Sequence, residues 1–200
     1  RIHTLTEELE LVRELNAAHG RNVGVYPEIK RPAWHKAEGV DIAPQLLAEL
    51  RAAGYEGRDD PVFVQCFDAG EVRRLKLELD CPYRLIQLIG DNSWLESDTD
   101  YDALRQPGGI AAVAAVAEGI GPHLSHLVDV ENVDGVPTVT ELAQLARDNG
   151  LLIHPYTFRA DDVPPGFATF EDLVQFFVHD VGVDGLFTDV PDRVVALLNG

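Results

Sequence analysis

The chain has no methionine and only two cysteines, Cys66 and Cys81, in 200 residues. So few cysteines exclude a disulfide-built scaffold and a cysteine-rich zinc site. Basic residues are scarce as well: 16 Lys and Arg stand against 34 Asp and Glu, a net charge of -18. Such a surface repels phosphate backbones and anionic headgroups, which argues against nucleic-acid binding and membrane-surface docking. No apolar run approaches the roughly 20 residues of a spanning helix, and no signal-peptide pattern is present. The chain also opens at Arg1 almost directly on a capped helix, without an initiator Met. That beginning reads as the remainder of a longer protein.

Hydrophobic residues make up 46% of the chain, enough to bury a core, and the length suits one domain over residues 1–200. Thr4 and Glu7 have capping-box spacing, and Leu5, Leu9, Val12 and Leu15 follow at helical intervals before Gly20. Six β-prone runs follow, at Val23–Ile29, Val62–Cys66, Arg84–Ile89, His126–Val130, Leu151–His154 and Gly185–Thr188. Their Val, Ile and Leu content without clean alternation suits parallel strands buried on both faces. Caps with an acid three residues on (Asp68 with Glu71, Thr138 with Glu141, Thr169 with Asp172) mark helices between them. Strand–helix alternation predicts an α/β fold with a parallel sheet. A doubly wound nucleotide binder needs a Gly-rich turn after its first strand, and Glu28-Ile29-Lys30-Arg31-Pro32 stands there instead. The expected architecture is therefore a TIM (β/α)8 barrel, incomplete in this chain, with about six of eight strand–helix units.

In a barrel the chemistry sits at the C-terminal strand ends. Glu28 and Lys30, two residues apart, share a side of the first strand. A carboxylate and an ammonium there suit a hard metal ion beside an anionic substrate, or else an ordinary rim ion pair. At the second strand end Phe67 walls a pocket or joins the core, and Asp68 is a helix cap. Cys66 is a nucleophile only if a partner lowers its pKa, and otherwise a small hydrophobe. The fifth ends in His154-Pro155-Tyr156-Thr157-Phe158-Arg159. There His154 is an acid–base group or a structural histidine, and Tyr156 stacks on substrate or caps the barrel. At the last strand end Thr188 and Asp189 contact ligand or shape a turn. The remaining histidines show no metal spacing.

Gly24-Val25-Tyr26-Pro27-Glu28-Ile29-Lys30-Arg31-Pro32 resembles the signature strand of glycerophosphodiester phosphodiesterases. Gly119-Ile120-Gly121-Pro122, the His154–Arg159 stretch and Phe187-Thr188-Asp189-Val190-Pro191-Asp192 resemble the periplasmic bacterial branch, in the right order over nearly the whole chain. The resemblance implies hydrolysis of glycerophosphodiesters such as glycerophosphocholine to glycerol 3-phosphate and an alcohol, with calcium or magnesium at the strand mouths. It implies that Glu28 is a metal ligand, that Lys30 contacts phosphate, and that Phe67, Tyr156 and Phe187 line the glycerol pocket. It also implies a periplasmic or secreted location. The family's His-Arg-Gly motif, two further metal carboxylates and second catalytic histidine have no counterpart here. Alone, the chain is expected to be inactive and to have the missing N-terminal part of its own barrel as a partner. Two alternatives remain: a non-catalytic barrel acting as a binding module, and a barrel of the phosphatidylinositol-specific phospholipase C type.

Overall fold

A computed structural model describes residues 1–130 and 135–199. It divides into two units, one of residues 1–87 and 95–99, the other of residues 88–94 and 100–200.

In the first unit, helix α1 (Leu5–His19) starts on the expected capping box, Thr4 with Glu7, and ends at Gly20 in the left-handed region. Helices α2 (Pro32–Ala37) and α3 (Ile42–Ala52) follow, then strand β1 (Phe63–Cys66), helix α4 (Ala69–Leu77) and strand β2 (Arg84–Ile89). β1 and β2 pair in parallel, Phe63 opposite Arg84 and Cys66 opposite Gln87. Asp68 caps α4 by accepting from the Glu71 amide at 3.0 Å. Leu47, Leu50, Val64, Val72 and Leu75 bury the faces between these elements.

The first expected strand, Val23–Ile29, is a corrected expectation. It forms two isolated parallel bridges, Val25 to Val62 and Glu28 to Gln65, and not a continuous strand. The Val25 amide donates to Pro61 O and the Ile29 amide to Gln65 O, both at 2.9 Å. Between them lies Pro27, which has no N–H to give, so the ladder skips a rung. Gly24 lies so close to the neighbouring segment that a Cβ there would meet Pro61 O at 2.2 Å.

The second unit holds the end of β2, helices α5 (Tyr101–Leu104) and α6 (Pro107–Ala114), and strand β3 (Gly119–Pro122). It continues through β4 (Val128–Asp129), β5 (Thr138–Val139), α7 (Glu141–Asp148), β6 (Leu152–Ile153), α8 (Phe170–Phe176) and α9 (Pro191–Asn199). β3 and β6 are parallel. β4 and β5 form a small antiparallel pair, so the strand expected at His126–Val130 is corrected to a 3-10 turn leading into a two-residue edge. The parallel strand of this region is Gly119–Pro122. Thr138 lies in β5, and α7 begins instead at Thr140, whose hydroxyl donates to His126 O. The last expected strand, Gly185–Thr188, is reduced to one bridge, Thr188 to Phe158. Its backbone still pairs on either side: the Phe187 amide donates to Pro155 O and the Phe158 amide to Phe187 O. Among the described residues, no helix is long and apolar enough to cross a membrane.

Candidate active site

In the first unit Lys30 Nζ lies 3.7 Å from Glu28 Oε1, an ion pair by distance but beyond hydrogen-bond reach. Glu28 Oε1 is buried and accepts no hydrogen bond, whereas the Lys30 side chain is 64% exposed. A buried carboxylate oxygen without a donor is costly unless a positive charge takes it. That atom therefore suits a hard cation. Such a cation wants six or more oxygens, however. Among the described residues no group of three or more His, Cys, Asp or Glu side chains is placed to hold a metal. Among the described residues this site offers one ligand atom, not a complete metal site.

Glu28 also lines a cavity of about 550 Å³ with Thr4, Thr6, Pro27 and Gln45. Phe67, half-buried, follows β1, and its carbonyl is fixed by Gln87 Nε2 at 3.0 Å and Ser97 Oγ at 3.4 Å. The bridge from Glu28 to Gln65 puts this end of β1 beside the Glu28 segment. Cys66 is no nucleophile: burial pushes its thiol up to about 12, and its Sγ donates to Ile29 O. Sequence reasoning passed over Gln65 and Gln87, both buried. An amide side chain inside an apolar strand is a readable signal of a structural hydrogen bond. It also passed over the network that settles buried Glu71: Lys36 pairs with it, and Arg74 reaches it at 2.8 Å while holding Asp41 at 2.5 Å.

In the second unit Tyr156 donates its hydroxyl to Ile89 O at 3.0 Å, so its ring stands across the end of β2. Phe187 is half-buried and held by its backbone bonds to Pro155 and Phe158. The Thr188 hydroxyl donates to Phe158 O and accepts from the Val190 amide, which makes it a turn former. Asp189 is exposed, 4.0 Å from Arg159. His154 is buried against Gly185, where a Cβ would meet its ring at 3.1 Å. Also unforeseen is a ring cluster at the strand ends. His123, just past β3, meets Trp94 edge-on at 5.2 Å and Tyr156 at 5.6 Å. Beside it His126 stands between Arg105 Nη1 and Gly90 O. Burial, aided by the Arg105 charge, depresses the His126 pKa to about 4.

The profile of the glycerophosphoryl diester phosphodiesterase family matches residues 1–193. The chain belongs to that family. It is 36% identical over 219 residues to a glycerophosphodiester phosphodiesterase of Haemophilus influenzae, covering 100% of this chain and 59% of that one. A Treponema pallidum protein of the same name is 32% identical, with 99% and 60% covered. The chain thus spans about three-fifths of the length of these relatives. Among solved structures it resembles a putative glycerophosphoryl diester phosphodiesterase from Agrobacterium tumefaciens, with TM-score 0.63, 18% identity, and 98% and 64% covered. An Oleispira antarctica phosphodiesterase in complex with the product sn-glycerol-3-phosphate gives TM-score 0.51 at 15% identity, with 98% and 61% covered. At such identities the likeness bears on fold alone: this is the α/β fold of the TIM-barrel phosphodiesterases.

Proposed function

We propose that a protein of the relatives' length built on this chain hydrolyses glycerophosphodiesters, water displacing the alcohol to leave sn-glycerol 3-phosphate. The observation that carries this reading is the Glu28–Lys30 pair, with its donorless carboxylate oxygen, inside a family match over residues 1–193. The substrate is an anion, and a chain of net charge -18 repels anions at long range. Local cations must reverse that repulsion. Lys36 is spent on Glu71, whereas the Lys30 ammonium is exposed and makes no hydrogen bond to a described residue. Lys30 would hold the phosphate and offset charge building on its oxygens. Glu28 would give one ligand to the divalent cation, calcium or magnesium, that the resemblance implies. By the same resemblance Phe67 of the first unit, and Tyr156 and Phe187 of the second, are each to be tested as glycerol contacts. The same resemblance supports a periplasmic or secreted location and the absence of the acid–base histidines from these 200 residues.

The test is release of glycerol 3-phosphate from glycerophosphocholine, with calcium or with chelator, by a protein of the relatives' length, the 200-residue chain run beside it. Chelator-sensitive release by the longer protein alone is expected. Release by neither, with metal supplied, would return the chain to the binding-module reading. Turnover by the 200-residue chain would end the claim that it is inactive alone.

A further inference from the structure

Helix α2 follows directly on the Glu28–Lys30 segment, and little in its own sequence holds it there. It has six residues, too few to be stable alone, starts without a side-chain cap, and buries only Pro32. The residue that leads into it, Arg31, has φ 46°, a left-handed conformation that residues other than glycine rarely adopt. A short helix entered through such a residue persists only where its surroundings fix it. Those surroundings are α4. Lys36, in the last turn of α2, pairs with Glu71, whose side chain is only 3% exposed. Asp41, in the link from α2 to α3, is gripped by Arg74 through two bonds, Nη1 to Oδ1 at 3.1 Å and Nη2 to Oδ2 at 2.5 Å. Arg74 Nη1 also donates to Glu71 Oε1 at 2.8 Å, so one buried carboxylate joins the two ties. Desolvation of such charges offsets most of their attraction, and a buried ion network adds little net stability. Its directed bonds do fix where the partners stand.

We infer that Glu71 is a positioning residue: through Lys36 and Arg74 it ties α2 and the α2–α3 link to α4, and so fixes the segment that presents Glu28 and Lys30. The assignment rests on the proposed hydrolysis for its effect on turnover, whereas the tie itself can be measured without substrate. Lys36→Met keeps the aliphatic stem and leaves Glu71 paired with Arg74, so no buried charge is left alone. In the 200-residue chain this variant should speed hydrogen exchange roughly tenfold at the His35, Glu38 and Val40 amides, which bond within the α2 segment. The amides of β1 and β2 should exchange as before. In the protein of the relatives' length Lys36→Met should lower kcat/KM for glycerophosphocholine roughly tenfold at an unchanged thermal midpoint. Glu71→Gln, which keeps the shape but not the charge, should act likewise, and Lys36→Arg should restore both readouts. On a Lys30→Ala background Lys36→Met should cost almost nothing more, because it acts through Lys30. Unchanged exchange at those three amides, faster exchange with unaltered kcat/KM, or additive losses from Lys30→Ala and Lys36→Met would each overturn the assignment. Faster exchange in the chain, with no hydrolysis by the unsubstituted longer protein, would overturn the proposed function and leave α2 tied to Glu71.

Discussion

Gln87 shows how much a single buried amide can hold. Its Nε2 reaches both Cys66 O, at 3.3 Å, and Phe67 O, at 3.0 Å, and so sets the backbone from which the Phe67 ring departs. Gln87→Leu keeps the volume but withdraws the donor from two carbonyls. It should cost about 1–3 kcal/mol in urea denaturation, and an unchanged midpoint would show that the amide is dispensable. His126 carries a second prediction at this scale. Its folded pKa, about 4, lies below the ordinary value of 6.5, so the unfolded chain binds the proton more readily. The stabilisation is complete above pH 6.5 and is lost as pH falls from there toward 4. Unfolding free energy should therefore decline across that window. His126→Gln should flatten the slope, although His123, shifted in the same direction, keeps part of it.

Helix caps are the elements most readable from residues alone, because a cap is a local bond between a side chain and an amide three positions away. Thr4, Asp68 and Thr169 each accept from the expected amide. Asp68→Ala should cost about 1 kcal/mol of stability by thermal denaturation. No loss would mean that the Ala69 amide, bound to Thr99 Oγ1, secures the helix start instead. Strands are harder, since a strand is decided by its partner. Gly119-Ile120-Gly121-Pro122 carries two glycines and a proline, residues poor in strands, yet it forms β3 because β6 pairs with it in parallel. Leu127 and Val128 look like strand material and are buried, but Leu127 ends the 3-10 turn and only Val128, with Asp129, forms a two-residue antiparallel strand. The same limit governs the site. Glu28 and Lys30 are legible because they are two residues apart, whereas Trp94, His123 and Tyr156 are joined only by the fold.

At the scale of the whole molecule the dominant fact is the charge of -18, only partly answered by local networks such as Lys36–Glu71–Arg74–Asp41. Self-repulsion of that size acts through solvent and is screened once the Debye length falls from about 30 Å at 0.01 M salt to about 8 Å at 0.15 M. The thermal midpoint should therefore rise between those two concentrations of sodium chloride. A fall would show that the ion-pair network outweighs the repulsion.

Gly24 carries no chemistry, yet it leaves no room for any other residue, since even a methyl group would overlap Pro61 O. Gly109 is equally closed, a Cβ there meeting Ala103 O at 2.4 Å. In a saturation-mutagenesis map of this chain both positions will therefore be as blank as Glu28. Among such blanks, the ones that matter for catalysis will be those where the variant protein still accumulates in the cell.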